Sequence, residues 1–525
     1  MTPGHIWFQR ERVEPTPLRH SKMASPKFLI SRSSLKLDEA VPPKLRHSAL
    51  SSGPGSAPHQ QACPSVLEQR WRNLCATYLP LGLSSSIWRA SRNPKPDDLK
   101  QGWKLHISAT VLTANRVLER IGPYLTQLGV QFKAPKSLLE LSKLNSGLHY
   151  GYSQTGKCFT VYPHSDREAV EIADHLDSLT TDLPNPTVPF DTRLRSGSAV
   201  HYRYGAFTSI EIGETEVDHK LAIETPEGQL VEDNRRTATP PPWAQNPFRI
   251  TPAEAKPTNP LVTRFQVFCV LCQRGKGGVY LAIDSQSVPE SVCVIKEGRR
   301  EGEAAWDGRD GSWRVRTEMQ NLLALKSLGI NVPEVLASFE LDGNFYLVTE
   351  FIEGCSLQTL LAGRKRRLSV STVLDYGIQV THLLGRLHAA GWVWRDCKPS
   401  NLCVTRDGRL RAIDFEGSSR ILDPRPSNWA TPAFSAPELS SPGYVAAAAE
   451  DLYALGILLY YLFSGRYPDP ENSVPLNKVR ARLSCEIAEV VTCLLQRDPA
   501  LRLSAESTAQ QLSRELDRIK SRALD

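Results

Sequence analysis

Apolar and polar positions along the chain follow two different plans, with a proline-rich stretch between them. From Val66, the segment VLEQRWRNLCATYL spaces its apolar residues three and four apart, which predicts a helix. Trp103–Ala109 (WKLHISA) alternates like a strand. Val111–Leu128 places Val117, Ile121, Leu125 and Leu128 on one helical face and closes on Gly129, a C-capping residue; Pro123 inside it predicts a kink. Short strands are expected at Val130–Lys133 and Lys157–Tyr162, a helix at Arg167–Leu179, and another alternating strand at Val200–Phe207 (VHYRYGAF). Thr237–Phe248 (TATPPPWAQNPF) reads as a semi-rigid linker. From Leu261 onward the organisation changes. The longest apolar run there, Leu455–Phe463, falls short of the ~18 residues of a membrane span and predicts a buried helix. No internal repeat is visible.

Composition sharpens this picture in three places. The chain has 525 residues, 41% hydrophobic and 23% charged, which suits a globular protein of more than one domain. Its net charge of +7 would suggest nucleic acid, but the first 60 residues hold nine Lys or Arg against four Asp or Glu. Basicity is therefore mostly a property of a Ser- and Pro-rich tail, expected to be disordered, and a nucleic-acid partner is not expected. Eleven cysteines without repeated spacing, and no export signal, point to reduced thiols and a cytoplasmic protein with no membrane partner.

The C-terminal half carries the parts that phosphoryl transfer needs, in chain order. GKGGVYLA (Gly275–Ala282) offers a turn over phosphates through Gly275, Gly277 and Gly278. VIK supplies a strand lysine, Lys296, and Glu318 on a following helix is placed to pair with it. WRDCKPSN gives Asp396 to orient an acceptor hydroxyl, Lys398 beside it and Asn401 as a metal ligand. IDFE gives Asp414 as the second metal ligand. Each signal alone is weak, and the ordered set is strong. TPAFSAPE (Thr431–Glu438) adds a substrate-side loop, and Arg502 of RDPALR is expected to pair with Glu438. Ser418, Ser419, Ser427 and Thr431 are candidate phosphorylation sites. This half, from Leu261, resembles the protein kinase superfamily, with Lys398 matching the Ser/Thr-directed pattern. That resemblance implies ATP or another NTP, with Mg2+, as cofactors. Three departures stand out: Cys272 and Arg274 replace the first two loop glycines, Trp394 replaces a histidine, and Glu416 replaces the glycine after Asp414-Phe415.

In the N-terminal half, Lys104 and His106 are two apart on one predicted strand, as are His201 and Arg203 on another. On alternation alone these faces read as solvated strand surface. Gly151–Cys158 (GYSQTGKC) imitates a phosphate-binding loop but is one residue short and leads into a strand rather than a helix. Lys157 is therefore read as a lone strand cation.

GWKLHISAT, the helix ending in LGV, then QFK, GKCFTVYP and YRYGAF resemble, in order, the phosphoserine/phosphothreonine lyase domain of class III and class IV lanthipeptide synthetases, and IDFEG is those enzymes' form of the metal motif. The resemblance implies Lys133 as the base for a Cα proton and His106 as the acid for the leaving oxygen. Lys104, Lys157 and Arg203 would then hold the phosphate. It also implies a leader-bearing precursor peptide as substrate.

The expected architecture is α+β and multidomain. A disordered tail spans residues 1–64, an α/β lyase-like domain 65–236, a linker 237–260, and a bilobal kinase-like domain 261–525. The family pattern continues into a cyclase domain, whereas this sequence ends at Asp525 soon after the last kinase helix. The expectation is therefore dehydration without ring closure, with a separate cyclase or a product that keeps its dehydro residues. Cys269 and Cys272 are expected to be two buried thiols on a kinase strand rather than half a zinc site. Two alternatives stay open: a regulatory Ser/Thr kinase whose N-terminal domain binds phosphorylated partners without eliminating anything, and a scaffold in which both sites are degenerate.

Overall fold

The computed structural model describes residues 63–522 apart from 83–85, 209–210, 213–219, 250–258, 363, 365, 424–430, 442, 470–473 and 481–482. Of the tail expected at residues 1–64, residues 1–62 lie outside the described residues, as does the candidate site Ser427, while Cys63 and Pro64 belong to the start of the first helix.

The N-terminal domain opens with α1 (Pro64–Tyr78), which starts on a proline in its first turn. It continues with β1 (Leu81–Gly82), β2 (Trp88–Ala90), β3 (Gln101–Ile107), α2 (Ala114–Leu128), β4 (Gln131–Pro135), α3 (Leu138–Ser146), β5 (Phe159–Tyr162), α4 (Asp166–Thr180), β6 (Thr192–Arg193) and β7 (Val200–Ala206). Helix ends follow the sequence. Ser137 and Ser165 accept hydrogen bonds from the third-residue amides of α3 and α4, while Gly129 and Gly147 close α2 and α3 in the left-handed conformation. Pro123 sits inside α2 without ending it.

Strands and helices alternate along the chain as expected, yet every strand pair in the sheet is antiparallel, in the order β1-β2-β4-β5-β3-β7-β6. One face is covered by helices over a core that includes Trp71, Leu105, Phe132, Phe159 and Ile121. A small sheet of β8 (Glu211–Ile212), β9 (Lys220–Glu224) and β10 (Leu230–Glu232) follows. The proline-rich stretch is not a free spacer as far as Phe248. That ring is buried and stacks on Tyr202 with centroids 3.8 Å apart, so the segment returns to the N-terminal core.

The kinase-like half begins with α5 (Pro260–Thr263) and a five-stranded antiparallel sheet: β11 (Phe265–Arg274), β12 (Gly277–Asp284), β13 (Ser291–Gly298), β14 (Val335–Leu341) and β15 (Asn344–Glu350), in the order β11-β12-β13-β15-β14. Helix α6 (Gly311–Ser327) packs on it, capped by Asp310. The second lobe contains β16 (Gly354–Ser356), α7 (Leu357–Ala362), α8 (Val370–Ala389), β17 (Trp392–Val393), β18 (Leu402–Thr405), β19 (Leu410–Ala412), β20 (Ser419–Arg420), α9 (Ala448–Ser464), α10 (Leu476–Val479), α11 (Cys485–Leu494) and α12 (Ala505–Ser521). The apolar run 455–463 lies within α9 and is buried save for half-buried Tyr461. Arg502 meets Glu438 at 2.5 Å, as expected. Cys269 and Cys272 are only half-buried, because β11 is an edge strand and its outer face has no covering layer among the described residues.

Trp71 fills the centre of the N-terminal core and donates its indole N–H to Pro135 O at 3.1 Å. Trp71→Ala should lower the unfolding free energy of that domain by about 3–5 kcal/mol. Calorimetry resolving the domain's transition checks this, and an unmoved midpoint would contradict it.

Candidate active sites

The register of the N-terminal sheet assembles the first site. Lys133 of β4 stands opposite Thr160 of β5, Thr160 opposite His106 of β3, and His106 opposite His201 of β7. One row across four strands thus reads Lys133, Thr160, His106, His201. Lys104 pairs directly with Arg203 one row along. At a strand spacing of about 4.8 Å, the backbones of Lys133 and His106 lie about 10 Å apart, which leaves room for a small group between their side chains.

The row forms the wall of a cavity of about 490 Å³, lined by Lys104, His106, Lys133, Lys157, Arg203 and Arg235 among others. Reading these faces as solvated is overturned, since Lys104, Lys157 and Arg203 are each only 5% exposed. Lys157 also differs from expectation. It lies in the turn before β5, where Gly156 adopts φ 77° and donates its N–H to Asn145 Oδ1 at 3.1 Å. The Nζ atom of Lys133 sits against aromatic rings, 4.9 Å from the centroid of Trp88 and 5.7 Å from that of Tyr162.

Two carboxylates behind the pocket organise it. Asp191, whose side chain is fully buried, hydrogen-bonds Nδ1 of His106 and lies 3.5 Å from Lys157 Nζ. This leaves Nε2 of His106 as the nitrogen available to a substrate. Asp233 accepts from Arg203 at 2.5 Å and faces Arg235 at 3.5 Å. Neither aspartate was singled out by sequence reasoning, nor was Arg235. Asp191 lies in an irregular FDTR segment and the others in a charged turn after β10, where no periodicity marks a buried side chain.

Burial pushes the imidazole of His106 down to about 3, and the Asp191 charge only partly opposes it. His201 is likewise held at about 3 by burial and by Arg193. Its neutral state fits its hydrogen bonds, since Nε2 accepts from Val188 N–H and Arg193 Nε. Lys104 and Lys157 lie below the usual lysine range, through burial first and the Arg203 charge besides. Burial alone would raise Asp191, but His106 and Lys157 hold it below the usual carboxylate range. Among the described residues, cations thus outnumber carboxylates in the pocket, and a bound dianion would relieve their mutual repulsion.

The second site lies between the kinase lobes. Lys296 pairs with Glu318 at 2.6 Å and approaches Asp414 at 3.4 Å. Asp396 meets Lys398 at 2.7 Å and accepts from Asn401 Nδ2 at 2.6 Å and from the Thr431 hydroxyl at 3.2 Å. Burial and the neighbouring Asp414 charge raise Asp396. Burial acts the same way on Asp414, but Lys296 and Lys276 outweigh it and hold that carboxyl low. Gly275 and Lys276 form a two-residue hairpin tip closed by the Arg274–Gly277 pair, with Gly278 opposite Gln273, so the expected loop is a tight turn. Ser418 and Ser419 are buried, which disfavours both as modification sites, and Thr431 is engaged with Asp396 and Lys398.

The departures from the kinase pattern have structural partners. Trp394 is buried and its indole N–H donates to Asp414 O at 2.6 Å, so it steadies the metal loop. Glu416 takes an ion pair from Lys276 at 2.5 Å. Oxygen atoms of Glu318, Asp414 and Glu416 lie within 4.8 Å of one another, and buried Glu318 Oε2 and Glu416 Oε1 have no hydrogen-bond partner. Hard oxygen donors of this kind fit Mg2+.

Residues 82–260 match the family described as RamC, N-terminal domain, and residues 271–512 match the protein kinase domain family. A probable SapB synthase of Streptomyces coelicolor is 29% identical over 444 residues, which is 82% of this chain and 46% of that protein. That alignment is longer than either domain match, so it takes in both halves. The serine/threonine-protein kinase PknA of Mycobacterium tuberculosis is 30% identical over 257 residues, 46% of this chain and 58% of its own length. A PknA of Nostoc sp. is 30% identical over 226 residues, 41% of this chain and 39% of its own. The chain spans about half the length of these relatives.

His106 and His201 titrate lower in the fold than the ~6.5 of an unfolded histidine. Below that value the unfolded chain takes up protons that the folded domain refuses. Their contribution is full above pH ~6.5 and is lost as pH falls toward 3. The N-terminal domain should lose stability between pH 6.5 and 4.5, before most carboxylates titrate, and His201→Gln should flatten the slope. Unfolding midpoints across this range test it; a flat wild-type profile would mean that the rings are charged in the fold.

Proposed function

We propose that this chain, a RamC-type lanthipeptide synthetase-like protein joining a RamC N-terminal domain to a protein kinase domain, dehydrates Ser and Thr residues of a ribosomally made, leader-bearing peptide in two steps. The kinase domain transfers phosphate from ATP to the hydroxyl. The N-terminal domain then eliminates that phosphate and leaves dehydroalanine or dehydrobutyrine. The observation that carries the second step is the single row Lys133, Thr160, His106 beside the paired cations Lys104 and Arg203, all opening into one cavity.

In the kinase site, Asp396 orients the attacking hydroxyl with Lys398 alongside, and Lys296, fixed by Glu318, holds the nucleotide phosphates. Asn401 and Asp414, with Glu318 and Glu416 nearby, are the oxygen donors for magnesium, which neutralises phosphate charge when bound.

In the N-terminal site, Lys104, Lys157 and Arg203 grip the phosphate dianion through charge-assisted hydrogen bonds. The Lys133 amine removes the Cα proton, the C–H electron pair forms the Cα–Cβ double bond, and the Cβ–Oγ bond breaks. His106 gives its Nε2 proton to the departing oxygen. The dianion itself makes the imidazolium stable enough to act, since an empty pocket keeps His106 neutral. Asp191 positions the ring and stabilises its charged form. The kinase step is needed because hydroxide is a poor leaving group, whereas a phosphate held by cations is a good one.

Intact-mass spectrometry of a precursor peptide incubated with ATP and magnesium tests both steps. Wild type should show loss of water. Lys133→Ala and His106→Ala should accumulate phosphopeptide, with elimination reduced about 10²–10⁴-fold, and Asp191→Asn should slow elimination without slowing phosphorylation. A wild type that itself stops at phosphopeptide on its own precursor would remove the lyase step and leave a regulatory Ser/Thr kinase as the better account.

A further inference from the structure

Phosphate-covering glycine loops act through backbone N–H groups, which need an open loop and unengaged amides. Here the turn has neither. Its tip is only Gly275-Lys276, and the Gly275 N–H donates to Ser146 O at the end of α3, at 3.0 Å. A Cβ on Gly275 would stand 1.6 Å from Asn145 O, so only glycine permits this approach. On the other side, Lys276 O accepts from Arg299 N–H at 2.8 Å. The Arg299 guanidinium donates to Arg274 O at 3.0 Å and lies 5.0 Å from the centroid of the Tyr152 ring. Residues of the N-terminal domain, Asn145, Ser146 and Tyr152, thus hold the tip of a kinase hairpin.

From that fixed tip the Lys276 side chain turns inward, and its ammonium reaches Glu416 within the cluster of metal-loop carboxylates. The cleft therefore contains a further ammonium besides Lys296 and Lys398, on the element that ordinarily covers the phosphates. We propose that Lys276 is a phosphate-binding residue of the kinase site, replacing the amide donors that the turn has lost, and that the N-terminal domain sets its position. This rests on the kinase reading above and does not need the elimination step. An ammonium carries three N–H donors, so Lys276 can bind a nucleotide phosphate oxygen while remaining near Glu416.

The test measures binding of magnesium-ATP and of adenosine to the full chain, with peptide phosphorylation kinetics alongside. Lys276→Gln should weaken ATP binding about 10-fold or more, as loss of a charge-assisted contact would, and raise KM for ATP more than it lowers kcat. Adenosine binding should stay at the wild-type value, and Lys276→Arg should recover most of the ATP affinity. Gly275→Ala, which forces the tip off α3, should likewise weaken ATP but not adenosine. Equal or tighter ATP binding by Lys276→Gln would overturn the proposal, because the lysine would then be a latch that keeps the site closed. A matching loss of adenosine would overturn it too, as a structural effect. Unchanged ATP affinity in Gly275→Ala would remove the positioning role of the N-terminal domain. If the wild type binds no ATP, the kinase reading itself fails.

Discussion

Much of the N-terminal domain depends on one electrostatic constraint: several cationic side chains are gathered where water scarcely reaches. Lys104, Lys157 and Arg203 share a pocket with His106, and among the described residues Asp191 and Asp233 are the carboxylates that stand behind them. Burying like charges is costly unless partners or protonation changes offset it. The domain uses both routes: the two aspartates are held ionised, and the imidazoles are kept neutral. What remains, among the described residues, is an excess of positive charge that the fold tolerates. Under the proposed function such a pocket selects by charge, since a neutral serine side chain would bring nothing to relieve the repulsion while its phosphate ester would.

Sheet register converts this constraint into geometry. With a side-chain period of two, the strand segments KLH and HYR each present a cation and an imidazole on one face. Antiparallel pairing then sets Lys104 against Arg203 and His106 against His201. A slip of one residue would send all four into the helix-covered core, so the apolar face formed by Trp103, Leu105, Ile107, Val200 and Tyr202 fixes the register. The packing that stabilises the domain is the same packing that lines up its chemistry.

This explains what could be read from the sequence. Alternation located β3 and β7 and showed which residues share a face, and ordered motifs located the kinase residues. Alternation could not tell that the polar face was buried, because a solvated face and a lined cavity have the same period. Asp191, Asp233 and Arg235 come from irregular segments that only tertiary folding brings beneath the strands. The proline-rich stretch read as a spacer because composition reports stiffness and not docking; Phe248 returns to the core with its ring stacked on Tyr202 and edge-on to Trp103. In the kinase half, Trp394 and Glu416 looked like losses. Each has a partner far away in sequence, Asp414 O and Lys276 respectively, which no local pattern encodes.

The two sites also share supports. The turn that carries Lys157 is tied to Asn145 through Gly156 N–H, and the Asn145-Ser146 backbone meets the kinase glycine tip. Tyr152, under the kinase Arg299, packs edge-on against Phe190, the neighbour of Asp191. Segments that hold Lys157 and Asp191 in one site therefore also hold the glycine hairpin of the other. Packed interiors transmit strain, but a switch also needs an element with two discrete arrangements, so this continuity alone does not make one. It does make the domains mechanically dependent: loosening α3 or the 190–191 segment would disturb both sites together. In the proposed two-step reaction the kinase's product is the N-terminal site's substrate, and a shared support then keeps the two sites in a fixed relation.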